Sequence, residues 1–219
     1  MAAVAGDIIY YLRQMLPLGL LALLAFLLLR PRRARRLERL GLTSGPLREI
    51  TLCLFILFCA GLAALTLFPA NVWSYVMDLG RGWYEGASFF SFYPTWEETM
   101  AGLDHLDHML TPFQEIRRAL ESMSYWLMFM LLGNIAMFVP IGFFPALLWR
   151  GWRWWKALPL GLLTSCAIEC IQFFIGRSTD IDDVILNTTG AVLGFGLYAL
   201  FRALFPRAAA RFHCQDKGV

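Results

Sequence analysis

Glu169 and Gln172 lie within the apolar run 157–175, Arg177 and the aspartates Asp180, Asp182 and Asp183 occupy the turn after it, and Asn187 falls inside the next apolar run. Asn134 interrupts a further one. An ionisable group inside a spanning helix costs a few kcal/mol or more, so it faces a partner, the bundle interior or a water-filled cavity. Three chemistries fit these residue types. In the first, Arg177 holds an anionic headgroup through its bidentate fork while Glu169, Gln172 and Asn187 orient it. In the second, an intramembrane enzyme acts on a phospholipid or polyprenyl phosphate. There Asp180, Asp182 and Asp183 hold Mg²⁺ through hard oxygen ligands and Glu169 serves as acid or base. In the third, the polar side chains only hold helices together in a scaffold. No nucleophile motif accompanies them, so the first reading leads, with no cofactor and no metal site. Its ligand pocket is expected to comprise Asn134, Glu169, Gln172, Arg177, Asp180, Asp183 and Asn187.

The elements that position these residues follow from composition. Hydrophobic residues make up 58% of the chain and charged residues 16%, with mean hydropathy +0.57; soluble domains are less apolar and more charged. The runs 12–29, 47–68, 125–149, 157–175 and 184–205 each approach or exceed the roughly 20 residues needed to span a bilayer. They lack the alternation of barrel strands, so the expected fold is all-α with about five transmembrane helices. A net charge of +3 gives no reason to expect nucleic acid as a partner. Membrane lipids and an amphiphilic cell-envelope ligand are the expected partners.

Charge placement predicts orientation. Arginines crowd 30–39; Arg150, Arg153 and Lys156 flank the third turn; Arg202, Arg207, Arg211 and Lys217 follow or end the last span. All three places fall on one side of a five-span chain, which the positive-inside rule makes cytoplasmic. The loop 69–124 is then external, holding eight acids and three arginines. The N-terminus is outside and the C-terminus inside. The first span has its positive cluster after the apolar core and no A-x-A site, so it reads as a retained anchor. The chain divides into an anchor helix with a basic cytoplasmic loop (1–46), a membrane domain (47–205) and a cytoplasmic tail (206–219).

Small residues at Ala157, Gly161 and Ser165 lead to Glu169 on one helix face, while Gly190 and Gly194 give the following span a GxxxG spacing near Asn187. At about 1.5 Å per residue, Glu169, Asn187 and Asn134 lie roughly 10, 5 and 13 Å below the outer end, in the outer half of the bilayer. Glu169 is expected to pair with Arg177 across the pocket mouth. Pro140 and Pro145 are expected to break the inner half of the third span. Cys166 and Cys170 share a face and read as packing residues. In the external loop, His105 and His108 flanked by carboxylates read as solvated residues. The aromatics Trp83, Tyr84, Phe89, Phe90, Phe92, Tyr93 and Trp96 place that loop on the bilayer surface. Thr111-Pro112-Phe113-Gln114 reads as a capping box opening an interfacial helix with Phe113, Ile116, Leu120 and Met123 as its apolar stripe. Asp182 or Asp183 would cap the last span, and Trp152, Trp154 and Trp155 would anchor the basic side.

Two motifs carry a family resemblance. Asn134, Phe138, Pro140 and Gly142 follow an N-x-x-x-F-x-P-x-G pattern, and Glu169, Gln172, Arg177, Asp180, Asp183, Asn187, Gly190 and Ala191 follow E-x-x-Q…R-x-x-D-x-x-D-x-x-x-N-x-x-G-A. Both resemble signatures of VanZ-like membrane proteins, with weaker matches at Thr66-Leu67-Phe68-Pro69 and Pro112-Phe113. The resemblance covers roughly 51–200 and implies a multi-pass protein of the bacterial inner membrane. It also implies a possible lowering of susceptibility to teicoplanin, a lipidated glycopeptide. It implies no chemical mechanism.

Overall fold

A backbone in hydrocarbon must satisfy every polar group internally, which leaves helices as the form for apolar runs of this length. The structure, a computed structural model, describes residues 2–69, 72–78 and 88–216. Trp83, Tyr84 and Lys217 lie outside the described residues, as do the side chains of His105 and His108. The helices are α1 (Ala2–Arg39), α2 (Pro46–Thr66), α3 (Val72–Asp78), α4 (Trp96–Ala101), α5 (Leu106–Met109), α6 (Gln114–Ser122), α7 (Tyr125–Leu148), α8 (Trp154–Phe174), α9 (Ile181–Leu204) and α10 (Pro206–Ala210). Among the described residues, five are long and apolar enough to cross a membrane: α1, α2, α7, α8 and α9. Leu28, Leu132 and Leu163 stand exposed on their flanks, as lipid-facing residues do. The chain is an all-α integral membrane protein.

The spans associate through small residues rather than through bulk. Gly190 and Gly194 of α9 lie so close to α7 that an added Cβ would come within 2.1 Å of the Ile135 carbonyl oxygen and 2.0 Å of the Val139 carbonyl oxygen. Gly142 of α7 answers them, its Cβ position lying 1.8 Å from the Ala191 carbonyl oxygen. The GxxxG pair therefore seats α9 on α7. The stripe of α8 meets the flank of α9, where Gly161 faces Thr188 and Ala191. Around this three-helix unit, Leu62, Phe138, Ile141 and Ile168 form one apolar cluster, and Phe26, Leu52 and Leu148 a second that attaches α1 and α2.

Four local expectations change. The basic stretch after the first span is no loop: α1 continues helical to Arg39, 38 residues or roughly 57 Å in all, so its last turns project beyond a bilayer core. There Arg33 bonds the Glu49 carboxylate at 3.0 Å and stacks over Phe26. α7 runs unbroken through Pro140 and Pro145. Trp152 packs with Ala146, Leu147 and Tyr198 instead of joining Trp154 and Trp155 at the surface. The capping box opens α4, not α6: Thr95 Oγ1 accepts from the Glu98 amide at 3.3 Å and the Glu98 carboxylate accepts from the Thr95 amide at 2.7 Å.

At the basic end, β1 (Leu42–Thr43) pairs antiparallel with β2 (Gln215–Asp216), clasping the tail to the α1–α2 turn. His213 lies just before this clasp. Burial, then the charges of Arg150, Arg202 and Arg48, hold its imidazole below the ordinary value of 6.5, while a Leu148 backbone bond opposes them. The docked tail therefore binds fewer protons than the released one. The contribution of His213 to docking is fully present above pH 6.5 and is lost as pH falls below it through the lowered value. Protection of the 211–216 amides, measured against their intrinsic exchange at each pH, should fall between pH 7.5 and 5.5, and His213→Gln should abolish that fall; wild-type protection that does not change with pH would contradict it.

Candidate functional site

The C-terminal end of α8 sets the site's mouth. Gly176 adopts φ +71°, a left-handed conformation that ends the helix. The Arg177 amide then bonds the Gln172 carbonyl at 2.9 Å and the Gly176 amide the Phe173 carbonyl at 3.4 Å, the pairing of a Schellman motif. This turn aims Arg177 back across the bundle. Its Nη1 donates to the carbonyls of Leu65 at 2.8 Å and Phe68 at 3.2 Å, covering the C-terminal end of α2, where unpaired carbonyls favour a cation. The expected ion pair with Glu169 does not form. Glu169 Oε2 instead accepts from the Asp180 amide at 3.0 Å, because the chain folds back over the end of α8.

The aspartates after the turn take separate tasks. Asp180 caps α9, accepting from the Asp182 amide at 2.9 Å, so neither Asp182 nor Asp183 is the cap. Asp182 is wholly buried and reaches the first turn of α6. It accepts from the amides of Phe113, Glu115 (2.8 Å) and Ile116 (3.2 Å), doing from a distant helix what a local cap would do. Phe113, the residue before α6, sits at φ +66°. Asp183 accepts from Asn134 Nδ2 of α7. The three carboxylates thus diverge to three partners, and the described residues hold no cluster of three or more His, Cys, Asp or Glu placed for a metal ion.

Six of the seven expected site residues line one cavity of about 240 Å³: Asn134, Glu169, Gln172, Arg177, Asp183 and Asn187. Asp180 is the exception. It borders a neighbouring apolar cavity of about 310 Å³, walled by Leu103, Leu106 and Leu110 from the long loop and by Phe173, Phe174 and Val184 from α8 and α9. Glu169 lines both cavities. Cys166 and Cys170, exposed on α8, also face the apolar one.

Residue-type reasoning missed three participants. Ser165 accepts from Asn187 Nδ2 at 2.9 Å and is fully buried; its place in the small-residue stripe was the available signal. Thr66 lines the polar cavity, and only its place in a weak motif marked it. Ser178 lines it too, without any signal beyond position.

No curated protein and no solved structure matches the chain. The family described as VanZ/LLP1 matches residues 55–202, from within α2 almost to the end of α9, and so takes in both motifs and the whole polar cavity. By that match the chain belongs to the VanZ/LLP1 family.

Proposed function

We propose that this protein binds a membrane amphiphile, its polar head in the cavity between α7, α8 and α9 and its tail in the adjoining apolar cavity. The observation that carries the reading is the pairing of a polar-lined space with an apolar-walled one across the shared residue Glu169. A lipid has the same division, and ligand sites join mostly apolar walls to a few placed polar groups. Gln172 and Asn187 orient the head, and the free edge of Arg177 faces its anionic part. The protein acts as a binding protein of the bacterial inner membrane.

The site opens outward in this reading, because the arginine-rich ends of α1 and α9 and the α7–α8 turn favour the cytoplasm. An accessibility or reporter tag after Gly102 is expected to read external and one after Arg211 cytoplasmic. The reverse pattern would put the pocket in the inner leaflet.

Mass spectrometry of lipid retained by the purified chain tests binding. Leu106→Trp fills the apolar cavity from an exposed loop position, and Gln172→Leu removes an amide from the polar one. Each should lower retained lipid at least about threefold with little change in folding, a loss on the scale of one hydrogen bond or a filled subsite. Full retention by both variants would defeat the reading. A cellular consequence follows from the outward pocket: expression in a susceptible bacterium raises tolerance to teicoplanin, whose fatty chain enters the outer leaflet, more than to vancomycin. Glu169→Gln and Arg177→Ala, at matched membrane levels, should erase that difference. Protection that survives both would remove the pocket from the phenotype.

A further inference from the structure

We infer that the polar cavity selects a headgroup bearing a primary ammonium, as in a phosphoethanolamine lipid. This deepens the amphiphile-binding reading above and rests on it. Several polar atoms around the cavity are already engaged within the protein. Asn134 Nδ2 is used on Asp183, Asn187 Nδ2 on Ser165, and Arg177 Nη1 on two backbone carbonyls. One N–H of each amide and both hydrogens of the inward arm of Arg177 are thereby committed within the protein.

The acceptors are left over. Asn187 is only 5% exposed, and its Oδ1 is buried without a hydrogen-bond partner. Glu169, 6% exposed, bonds the Asp180 amide through Oε2, leaving Oε1 for the cavity. Asp183 bonds Asn134 through Oδ1, leaving Oδ2. All three residues line the same space, where two carboxylates face one guanidinium. A buried acceptor without a donor is costly, and an excess of carboxylate favours a cation. A primary ammonium supplies three N–H donors on one positive centre, one for each of Glu169, Asp183 and Asn187. A trimethylammonium has the charge but no donor. A glycerol headgroup has donors but no charge. The lipid phosphate then lies toward the Arg177 side of the cavity, so that the zwitterion matches both signs lining it.

Competition among lipids tests this on the full chain in mixed nanodiscs. Phosphatidylethanolamine, phosphatidylcholine and phosphatidylglycerol are supplied with identical acyl chains, and the lipid retained after detergent extraction is measured. Wild type is expected to keep phosphatidylethanolamine over phosphatidylcholine by about tenfold, since hydrogen bonds to charged groups exceed that worth. Glu169→Gln retains an acceptor for the Asp180 amide but removes a charge, and should cut the preference severalfold. Equal retention of ethanolamine and choline lipids by wild type overturns the ammonium inference and leaves amphiphile binding intact. Retention of no lipid at all overturns both. The wild-type comparison needs no substitution, so a poorly folding variant cannot rescue the idea.

Discussion

Gly190→Ala and Gly194→Ala will strip folded protein from the membrane, while Gly133→Ala and Gly196→Ala, in the same two helices, will leave it in place. The first pair sits where α9 touches the α7 backbone. A new methyl would lie 2.1 Å from the Ile135 carbonyl oxygen or 2.0 Å from that of Val139, and neither oxygen belongs to a side chain that can swing aside. The helices must separate, which costs about 1–3 kcal/mol for an ordinary overpacked site and more where backbone is the obstacle. Separation also opens the polar cavity, because Asn134 hangs from α7 and Asp183 and Asn187 from α9. Gly133 and Gly196 have nothing within 4 Å of a Cβ, and alanine there raises helix propensity. Fluorescence-detected gel filtration in mild detergent, with thermal unfolding of the surviving peak, reads the difference. Four variants behaving alike would show that close α7–α9 contact is not what holds the bundle.

Asp182→Ala should free α6 from the bundle. The carboxylate is wholly buried and receives three backbone amides at the start of that helix, one of them at 2.8 Å. Removing it orphans those donors, and hydrogen bonds to a charged group contribute about 1.5–3 kcal/mol each before their mutual compensation. A net loss of about 2–4 kcal/mol corresponds to ~30-fold or greater acceleration of amide exchange across 113–122. Asp182→Asn keeps one accepting oxygen and should fall between. Glu121→Ala, whose side chain makes only an exposed pair with Arg117, serves as the control and should change little. Unaltered exchange in Asp182→Ala would mean that α6 is held by Ile116 and Ala119 alone, the half-buried and buried residues of its apolar face.

Helical class, the five spans and the gathering of Asn134, Glu169, Gln172, Arg177, Asp183 and Asn187 were legible in the residues themselves. The reason is that a bilayer leaves few options. Apolar length forces a helix, and a polar side chain inside that helix must turn toward the bundle, so spacing along α8 and α9 already named the shared face. The α8 stripe Ala157, Gly161, Ser165, Glu169 and Gln172 is buried throughout for that reason. Partner choice was not legible. Glu169 and Arg177 carry opposite charges eight residues apart, yet the Schellman turn at Gly176 sends the guanidinium to the end of α2 and brings the Asp180 amide to the carboxylate. The three aspartates look alike in sequence, and only the direction in which each leaves the first turn of α9 assigns them to α9, to α6 and to Asn134. The small residues of α8 and α9 read as packing those two spans on each other; Gly161 does meet α9 at Thr188 and Ala191, but Gly190 and Gly194 press instead on the α7 backbone at Ile135 and Val139. Periodicity constrains which face a residue shares, since one helix sets it. Which hydrogen bond that residue makes depends on turns and on helices more than a hundred residues away, and it was settled only when the chain had packed.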